Sequence, residues 1–497
     1  MSGYNTAPVE TELVIDGEWR PASSGDRYQI FNPARPSELV GTAAAATTED
    51  VDAAVRAAHG AFPAWAALSY HERAAYLRKI NEAVVADEAE LKDRIRLFTR
   101  EHGKIIKEAT LELTRLGLRF DLVASYADRL ATDEELAGPP FDTIITRQPR
   151  GVAALVVPWN WPLSILGAKL PQALMAGNTV VIKPSSHAAL APMITLRKMA
   201  EVLPPGVVNV VTGPASRIGD PLLTHPLVRK INFTGGIETG KHVMRIAADN
   251  LTPVTLELGG NDAAIVLEDA TLDDEAFLKM YLGTFMSTGQ ICMAAKRLYA
   301  HESRFDEVVD GFSAFMARQR VGDGTQPDVT MGPVNNVEQY ENVTDFIDEA
   351  KHAGADVREL GTVDDESDFD AGYFIKPTMV VRPDPGLKIV KDEQFGPAIP
   401  ILQFGDDEEA IDLANDSEYG LCSSVWTDDR DRAVAVARRL EAGYTYLNAH
   451  GPAAQDSRAP FGGFKSSGLG RNLGYEGVLE FQEWHSISSQ PGWLLGG

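Results

Sequence analysis

The chain has 497 residues, and a typical domain size of about 150 residues predicts about three structural units. Hydrophobic residues make up 44% of the chain and charged residues 24%, a balance typical of a folded protein and not of a disordered one. Asp and Glu outnumber Lys and Arg by 71 to 46, and the net charge of −25 repels phosphate backbones and anionic membrane surfaces. We therefore expect neither a nucleic-acid partner nor a membrane partner.

The cellular compartment can be predicted from the cysteines and the N-terminal segment. Cys292 and Cys422 could form one disulfide at most, which favours a reducing compartment. The segment MSGYNTAPVETELVIDG carries acidic residues and a proline where a signal peptide needs a basic start and an apolar run. Proline, asparagine and lysine interrupt the most apolar region, 151–182, so it contains no apolar span of about 20 residues. We expect a cytoplasmic protein.

The first part of the chain is predicted to be mainly helical. Residues 47–130 carry apolar side chains at helical spacing, and Thr47 followed by Asp50 predicts an N-terminal cap. After a Gly/Pro break, the β-branched segment FDTIITRQP predicts a strand outside the main sheet. We expect the tail, 477–497, to pair with this strand near 141–148.

Between 151 and 258, strand patterns alternate with helical ones. Alternation at this spacing predicts right-handed βαβ crossovers and a mostly parallel, doubly wound sheet. Such sheets bind ligands at the carboxyl ends of their strands. A second set of α/β patterns covers 259–460 and includes NDAAIVL, KRLYAHES, TMVVRP and SSVWTDD, with an acidic loop around 364–370.

Two residues stand out as candidates for acid, base or nucleophile. Cys292 lies in STGQICMAAKR, where small residues leave the backbone free to present a reactive thiol. Taken alone, a cysteine is more often a small buried side chain, and Cys422 keeps that interpretation. Glu257 ends an apolar strand before Gly259 and Gly260. It either accepts hydrogen bonds from this turn or takes a proton from water, with its pKa raised by a partly apolar site.

Three further segments lie at predicted strand ends. The Asn160 amide, in PWNWPL, either donates to an oxyanion or satisfies the backbone of its own turn. Lys183 and Ser186, in VIKPSS, suit a ribose or a phosphate, although lysines at strand ends usually just reach solvent. FTGGIETG, 233–240, places three glycines at a helix start, which suits a pyrophosphate. It is not the GxGxxG fingerprint, and such turns also serve plain packing.

Seven motifs occur in one order along the chain: PWNWPL, KPSS, FTGGIETG, LELGG, GQIC, EQFGP and PFGGFKSSGLGR. Together they resemble the aldehyde dehydrogenase superfamily over essentially the whole chain. The resemblance implies two Rossmann-like, doubly wound α/β domains plus a small β oligomerisation arm. It implies an NAD(P)-binding domain at 1–127 and 149–258, a catalytic domain at 259–460 and an arm at 128–148 and 477–497.

The resemblance also implies roles for individual residues. The Cys292 thiolate attacks the aldehyde, and the Asn160 amide with the Cys292 backbone N–H stabilises the oxyanion. Glu257 activates the hydrolytic water, and Lys169 assists proton movement. The implied cofactor is NAD or NADP, without a metal, and its binding residues are Val157, Pro158, Trp159, Lys183, Ser185, Ser186, Gly213, Phe233, Thr234, Gly235, Gly236, Thr239, Gly240, Glu393 and Phe395. The implied substrate residues are Trp161, Ile165, Met286, Ile291, Met293 and Phe461, with the 449–459 loop.

Three positions depart from the pattern of the family. Ser186 stands where many NAD-preferring members carry Glu, so NADP use stays open. Gly236 stands where Ser is common, which removes one pyrophosphate hydrogen bond. Asn472 stands where Glu is common, which leaves a second acidic proton relay in doubt.

The identity of the aldehyde is predicted from the implied lining. Ala168 is small where some relatives carry a bulky aromatic residue, which leads us to expect an aromatic or medium-chain aldehyde. Arg458 and His450 would meet an acidic substrate if they faced the site, but we interpret both as solvated loop residues.

The prediction is an NAD(P)-dependent enzyme that oxidises a small-molecule aldehyde to a carboxylic acid through a thiohemiacetal and a thioester on Cys292. We expect a homodimer or homotetramer. Two alternatives stay open, namely a catalytically silent dinucleotide-binding oligomer and an acylating enzyme that releases its product to coenzyme A. Glu257 favours hydrolysis over acylation.

Overall fold

The computed structural model describes residues 7–495, except for the side chains of 366–368. The first six residues of the predicted cofactor domain and the last two of the predicted arm lie outside the described residues. Within 7–495, the strands form two large sheets and three small ones. None of the helices in this part of the chain combines the length and apolar character needed to cross a membrane.

The first large sheet has eight strands, of which the five central ones are parallel. Its β-branched runs are buried on both faces, as the helix-covered strands of a parallel sheet are. In spatial order the strands are Gly468–Leu469, Val254–Glu257, Val228–Thr234, Val152–Val156, Thr179–Lys183, Val208–Val210, Leu13–Ile15 and Glu18–Arg20. The predicted parallel sheet between 151 and 258 is confirmed.

We call the part of the chain that builds the eight-stranded sheet the first unit, and the part that builds the second large sheet the second unit. The first helix of the first unit begins with the predicted cap. The Thr47 side chain accepts from the Asp50 backbone N–H, and the Asp50 carboxylate accepts from that of Thr47. The helical segment after Asn160 forms two short helices, because the chain breaks at Lys169 and restarts with Pro171 in the first helical turn. The helices are Thr48–Ala66, Tyr70–Val85, Glu88–His102, Ile106–Ala124, Ala127–Ala131, Pro162–Gly167, Leu170–Met175, Ala191–Val202, Ala215–Leu223 and Ile237–Ala248.

The second large sheet contains all four predicted strand segments of 259–460. In spatial order its strands are Asp356–Glu359, Thr378–Val381, Ala398–Phe404, Ala295–His301, Asp262–Val266, Cys422–Trp426 and Tyr444–Leu447. The acidic segment predicted as a loop is instead partly helical, at Glu366–Ala371. The α-helices are Asp274–Phe285, Phe305–Ala317, Val337–His352, Glu366–Ala371, Lys388–Lys391, Asp407–Asn415, Arg430–Ala437 and Gly474–Leu479, and the 3-10 turns are Met286–Gly289, Glu302–Arg304, Pro452–Ala454 and Lys465–Ser467.

A small separate sheet joins the middle of the chain to its tail. Strand Asp142–Pro149 pairs antiparallel with Gln482–Ser489, and Glu134–Leu136 adds to its other edge. The strand predicted outside the main sheet and its pairing with the tail are therefore confirmed, while the domain boundaries stay predictions. The other small sheets comprise Val9–Thr11, Arg35–Ala44 and Arg27–Asn32, and Arg320–Val321 with Thr362–Val363.

The order of the first sheet determines where a ligand can bind. Strand Val152–Val156 lies between Thr179–Lys183 and Val228–Thr234, so the chain builds the sheet outward in both directions from this point. A crevice forms beyond the carboxyl ends of strands where the order reverses in this way. The segment PWNWPL begins at Pro158, two residues beyond the end of strand Val152–Val156, and therefore lies at this crevice.

Candidate active site

A cavity of about 260 Å³ lies beyond these strand ends. Its wall brings together Cys292, Glu257 and Asn160, which are far apart in the sequence. Five of the six predicted substrate residues also line it, namely Trp161, Ile165, Ile291, Met293 and Phe461. Met286 is not in the wall and packs in the apolar cluster behind it.

Asn160 is held by hydrogen bonds on both its side chain and its backbone. Its Nδ2 donates to the Gln290 carbonyl at 2.9 Å, which leaves the second amide hydrogen for a ligand. Its carbonyl accepts from Lys104 Nζ at 3.1 Å, and this ammonium also pairs with Glu112 at 2.5 Å. Glu112 also accepts two backbone N–H groups at the start of helix Pro162–Gly167. This buried ion pair therefore anchors the turn that carries the Asn160 amide.

Cys292 follows a turn with unusual backbone geometry. Ser287 and Thr288, in the 3-10 turn Met286–Gly289, have φ of 52° and 59°, in the left-handed region that costs free energy for side chains other than glycine. The Ser287 N–H donates to Glu108 Oε1 at 2.6 Å. The carboxylate of a distant helix thus stabilises the strained turn before the cysteine.

The carbonyl side of the cysteine loop is held by a lysine. Lys296 Nζ donates to the carbonyls of Ile291 and Cys292 at 2.8 and 2.7 Å, and it pairs with Glu393 at 3.3 Å. A Cβ at Gly260 would lie 2.7 Å from the Cys292 carbonyl oxygen, so a larger residue there would displace the loop. The position of the thiol thus depends on these close contacts.

The protonation of the two reactive groups is set by burial. Burial, and next the Glu257 carboxylate, raise the pKa of the Cys292 thiol above its ordinary value. Burial likewise raises the pKa of Glu257 to about 8, against the opposing effect of Lys169. Glu257 Oε1 has no hydrogen-bond partner among the described residues. This oxygen is available to accept a proton from the thiol or from water.

Lys169 lies behind Glu257 and not in the cavity wall. Its Nζ donates to Asn232 Oδ1, and Asn232 Nδ2 donates to Asn472 Oδ1 at 2.8 Å. All three side chains are buried. Burial lowers the pKa of Lys169 to about 7. Asn472 is thus linked to Lys169 by hydrogen bonds through the Asn232 amide. Asn232 was missed by the sequence analysis, although a polar residue in an apolar strand was an available signal.

The predicted cofactor residues of the first unit follow the carboxyl ends of its strands. They are Val157, Pro158 and Trp159 after one strand, Lys183, Ser185 and Ser186 at the next, Gly213 beyond the third, and Phe233, Thr234, Gly235, Gly236, Thr239 and Gly240 around the start of helix Ile237–Ala248. Burial lowers the pKa of Lys183 to about 8. The Thr234 hydroxyl is buried without a partner among the described residues, and a Cβ at Gly236 would meet nothing within 4 Å. The unpartnered Thr234 hydroxyl and the open space beside Gly236 fit a bound dinucleotide.

The second unit reaches the same crevice through the segment EQFGP. The Phe395 ring contacts the Trp159 ring edge to face, with centroids 5.7 Å apart. Glu393 accepts from the Gly260 N–H at 3.2 Å, and burial raises the pKa of its carboxyl. Glu393 and Phe395 therefore lie opposite the residues of the first unit, as a shared cofactor site requires.

Two loop residues differ from each other in burial. Arg458 is exposed and pairs with Asp456 at 2.7 Å, as expected of a solvated residue. The same expectation for His450 is wrong, because the loop folds inward and His450 Nδ1 lies 2.9 Å from Ser424 Oγ in a buried position. Cys422 is buried and, like Cys292, free of a disulfide.

Helix Ile106–Ala124 contributes lining residues that the sequence analysis missed. These are Leu111, Arg115, Leu116, Leu118 and Arg119, which meet Gln455 of the 449–459 loop that was predicted at the substrate entrance. Their spacing of three or four residues was the available signal, since such positions share one face of a helix. Nothing in the sequence alone indicates which face meets a cavity.

The comparisons with known proteins agree with this geometry. A model of the aldehyde dehydrogenase family matches residues 19–487. The chloroplastic betaine aldehyde dehydrogenase of Beta vulgaris is 38% identical over 502 residues, covering 97% of this chain and 98% of that protein. A chloroplastic aminoaldehyde dehydrogenase of Arabidopsis thaliana is 37% identical over 486 residues, covering 95% and 94%.

Solved structures show the same relationship. Betaine aldehyde dehydrogenase from Staphylococcus aureus, in complex with NAD+, superposes with a TM-score of 0.90 at 32% identity, covering 97% of this chain and 95% of that one. The chain belongs to the aldehyde dehydrogenase family, as an NAD(P)-dependent enzyme that acts on small aldehydes. The predicted fold class and reaction class are confirmed.

Proposed function

We propose that this protein oxidises its aldehyde to a free carboxylic acid by hydrolysis of a thioester on Cys292. The observation that carries the proposal is the shared cavity wall of Cys292, Asn160 and Glu257, in which one Glu257 oxygen has no hydrogen-bond partner among the described residues. An acid that keeps a free oxygen beside a thiol can serve as its base and later as the base for water. This favours hydrolysis over transfer to coenzyme A and over a catalytically silent role.

Glu257 acts as the base in two steps of the reaction. Glu257 accepts the thiol proton as the Cys292 sulfur bonds to the aldehyde carbon, and the free Asn160 N–H with the Cys292 backbone N–H stabilises the oxyanion. A bound nicotinamide supplies the acceptor for the hydride that leaves this carbon. Glu257 passes the thiol proton to solvent and then takes a proton from water, whose oxygen attacks the thioester carbon. The acid departs as the carbon–sulfur bond breaks and the sulfur regains a proton from Glu257.

For the cofactor we propose that Lys183 holds the adenosine ribose and that Glu393 with Phe395 holds the nicotinamide end. The NAD+ complex of the Staphylococcus aureus enzyme supports NAD. Ser186 carries no charge that would repel a 2′-phosphate, so we propose that NADP is also used.

The expectation of an aromatic or medium-chain aldehyde is wrong. The relatives are named for betaine aldehyde and aminoaldehydes, which are polar. Polar groups also enter the cavity wall at Arg119 and Gln455. We propose a small polar aldehyde as the substrate.

We also propose that the arm joins subunits into a homodimer or homotetramer in the cytoplasm. Exposed apolar side chains on the arm sheet, Trp484 and Ile487, support an interface there. The two free cysteines support a reducing compartment.

Replacement of the nucleophile tests the reaction. We expect Cys292→Ala to abolish aldehyde-dependent NADH formation and acyl-enzyme formation while NAD binding is retained. Cys422→Ala is the matched control, because it makes the same change at a buried cysteine outside the cavity wall, and it should retain activity. Undiminished turnover in Cys292→Ala would overturn the proposal, and product release only with coenzyme A would favour the acylating alternative.

A further inference from the structure

The exposed end of the cavity differs in charge from the rest of the protein. We define the mouth as the lining residues that are not fully buried on helix Ile106–Ala124 and the 449–459 loop: Leu111, Arg115, Leu118, Arg119, Pro452, Gln455 and Ser457. Two of these seven are arginines and none is acidic. Against a chain charge of −25, the mouth is therefore locally positive.

Arg119 is a cation without a carboxylate partner among the described residues. One Nη donates to the Ser164 carbonyl and the other to Gln455 Oε1 at 3.3 Å, and both acceptors are neutral. Glu112 is the carboxylate that acts on its charge, but its oxygens already bind Lys104 and two backbone N–H groups. Burial lowers the pKa of Arg119 to about 10. A guanidinium held in this way gains free energy when an anion binds beside it.

Arg115 lies one helical turn before Arg119 on the same helix face. It is exposed and takes part in none of the ion pairs among the described residues. Residues four apart on a helix are neighbours, so the two guanidinium groups flank the same part of the mouth. Together they provide donors from two directions to a ligand at this position.

Two neutral donors of the wall also lack acceptors. Gln455 Nε2 and Trp161 Nε1 are buried and have no hydrogen-bond partner among the described residues. A buried donor without an acceptor is destabilising, and an acceptor on the substrate would recover that free energy. The wall therefore offers an excess of donors over acceptors.

A cationic substrate finds little in this wall. Ammonium groups are bound by carboxylates or by aromatic faces, and Glu257 is the only acidic residue in the cavity wall of the described chain. Of the two aromatic rings in the wall of the described chain, Trp161 already has Lys104 Nζ at 4.3 Å from its centroid, which leaves Phe461. Glu257 serves the reacting carbon and cannot also neutralise the far end of a substrate.

We propose that Arg115, Arg119 and Gln455 form a carboxylate-binding subsite, so that the substrate class is an aldehyde with a carboxylate at its far end. This inference rests on the proposed aldehyde oxidation. It separates this chain from relatives that are named for cationic aldehydes, because the arginines attract the anion and repel an ammonium group.

The test compares aldehydes that differ only in the charge of the far end. Succinic semialdehyde, butanal and aminobutanal share one carbon chain, and adipic semialdehyde, hexanal and aminohexanal form a longer set. We expect kcat/KM to be about tenfold to a hundredfold higher for the carboxylate than for the neutral member, and lowest for the amine. The difference should lie mainly in KM and should shrink at high ionic strength.

Variants at the mouth assign the preference to the arginines. Arg115 is exposed, so Arg115→Gln should fold and should lose about tenfold in kcat/KM for the carboxylate alone. Arg115→Glu should raise kcat/KM for the amine above that for the carboxylate. Arg119→Lys retains the charge and should retain part of the preference for the carboxylate. If Arg119 were merely structural, the substitution would lower kcat/KM equally for all substrates. The control is Lys107→Gln, which removes the same charge from the same helix outside the cavity wall and should change nothing.

The outcomes separate the inference from the function on which it rests. Oxidation of butanal with a carboxylate preference that Arg115→Glu reverses supports both. Oxidation of butanal with an amine preference, or with a preference that the mouth variants do not alter, overturns the subsite and leaves aldehyde oxidation intact. Failure to oxidise any aldehyde of either set overturns both.

Discussion

Glu108 accepts a hydrogen bond from the backbone N–H of Ser287 at 2.6 Å, and this contact ties helix Ile106–Ala124 to the strained turn before Cys292. Burial raises the pKa of Glu108 to about 7, against the opposing effect of the hydrogen bond from the Ser287 N–H. Other residues of this helix line the mouth. The contact therefore connects the helix of the mouth to the loop that presents the nucleophile.

We expect Glu108→Ala to misplace Cys292, because the Ser287 N–H loses its acceptor and the left-handed turn loses support. The free energy of unfolding should fall by about 1–3 kcal/mol, and the rate of Cys292 alkylation by iodoacetamide should change together with kcat. Glu108→Gln retains an acceptor oxygen and should restore most of both. Equal thiol reactivity in wild type and Glu108→Ala would contradict this positioning role.

The pH dependence of thioester hydrolysis should report the ionisation of Glu257. Its pKa is raised to about 8, and only the deprotonated carboxylate can accept a proton from water. Acid release from a preformed acyl-enzyme should therefore rise as pH increases through about 8, when it is measured by rapid quench. Glu257→Gln should remove this step in the pH profile and slow acid release by about a hundredfold or more.

Glu101→Gln provides the control for that profile, since burial also raises the pKa of Glu101 to about 8. Glu101 accepts the Leu190 and Ala191 N–H groups at a helix start and is not part of the cavity wall. Its variant should keep the step near pH 8. A profile that is flat in wild type would count against Glu257 as the base.

Removal of the cation behind Glu257 should shift the same profile. The Lys169 charge lowers the pKa of Glu257 against the larger effect of burial, so Lys169→Met should move the step to higher pH by up to about one unit. Asn232→Ala removes the acceptor of the ammonium group and should produce a smaller shift in the same direction. A shift to lower pH in either variant would show that Lys169 does not stabilise the carboxylate.

Cofactor choice should respond to the charge at position 186. Ser186→Glu places a carboxylate after the strand end Thr179–Lys183, where it would repel the 2′-phosphate of NADP. We expect kcat/KM with NADP to fall by about tenfold or more relative to NAD. Ser186→Gln adds similar bulk without charge and should leave the ratio nearly unchanged. If both variants reduce NADP use equally, size and not charge is responsible.

Local sequence patterns predicted much of the architecture. The Thr47 and Asp50 cap and the strands at Thr179–Lys183 and Cys422–Trp426 follow from side-chain periodicity and from hydrogen bonds within a few residues. Chain connectivity allowed a prediction of the crevice, because parallel strands carry their carboxyl ends to one edge. The motif order likewise indicated the family, and with it Cys292, Glu257 and Asn160.

Contacts between distant segments could not be predicted in the same way. Whether His450 faces solvent or Ser424 depends on how a loop folds over the second sheet, and the break at Lys169 depends on how two short helices pack. The link from Lys169 through Asn232 to Asn472 joins three elements that no local pattern relates.

The sequence by itself determined the class of the protein, its alternation of helices and strands, and the residue types available for a thioester mechanism, because these depend on local periodicity and on motif order. Only the tertiary structure decided that, within residues 7–495, Arg115 and Arg119 line the cavity without carboxylate partners and Glu257 keeps an unpaired oxygen there. The physical reason is that burial and charge pairing depend on which faces of distant elements meet, and this is a property of packing in three dimensions.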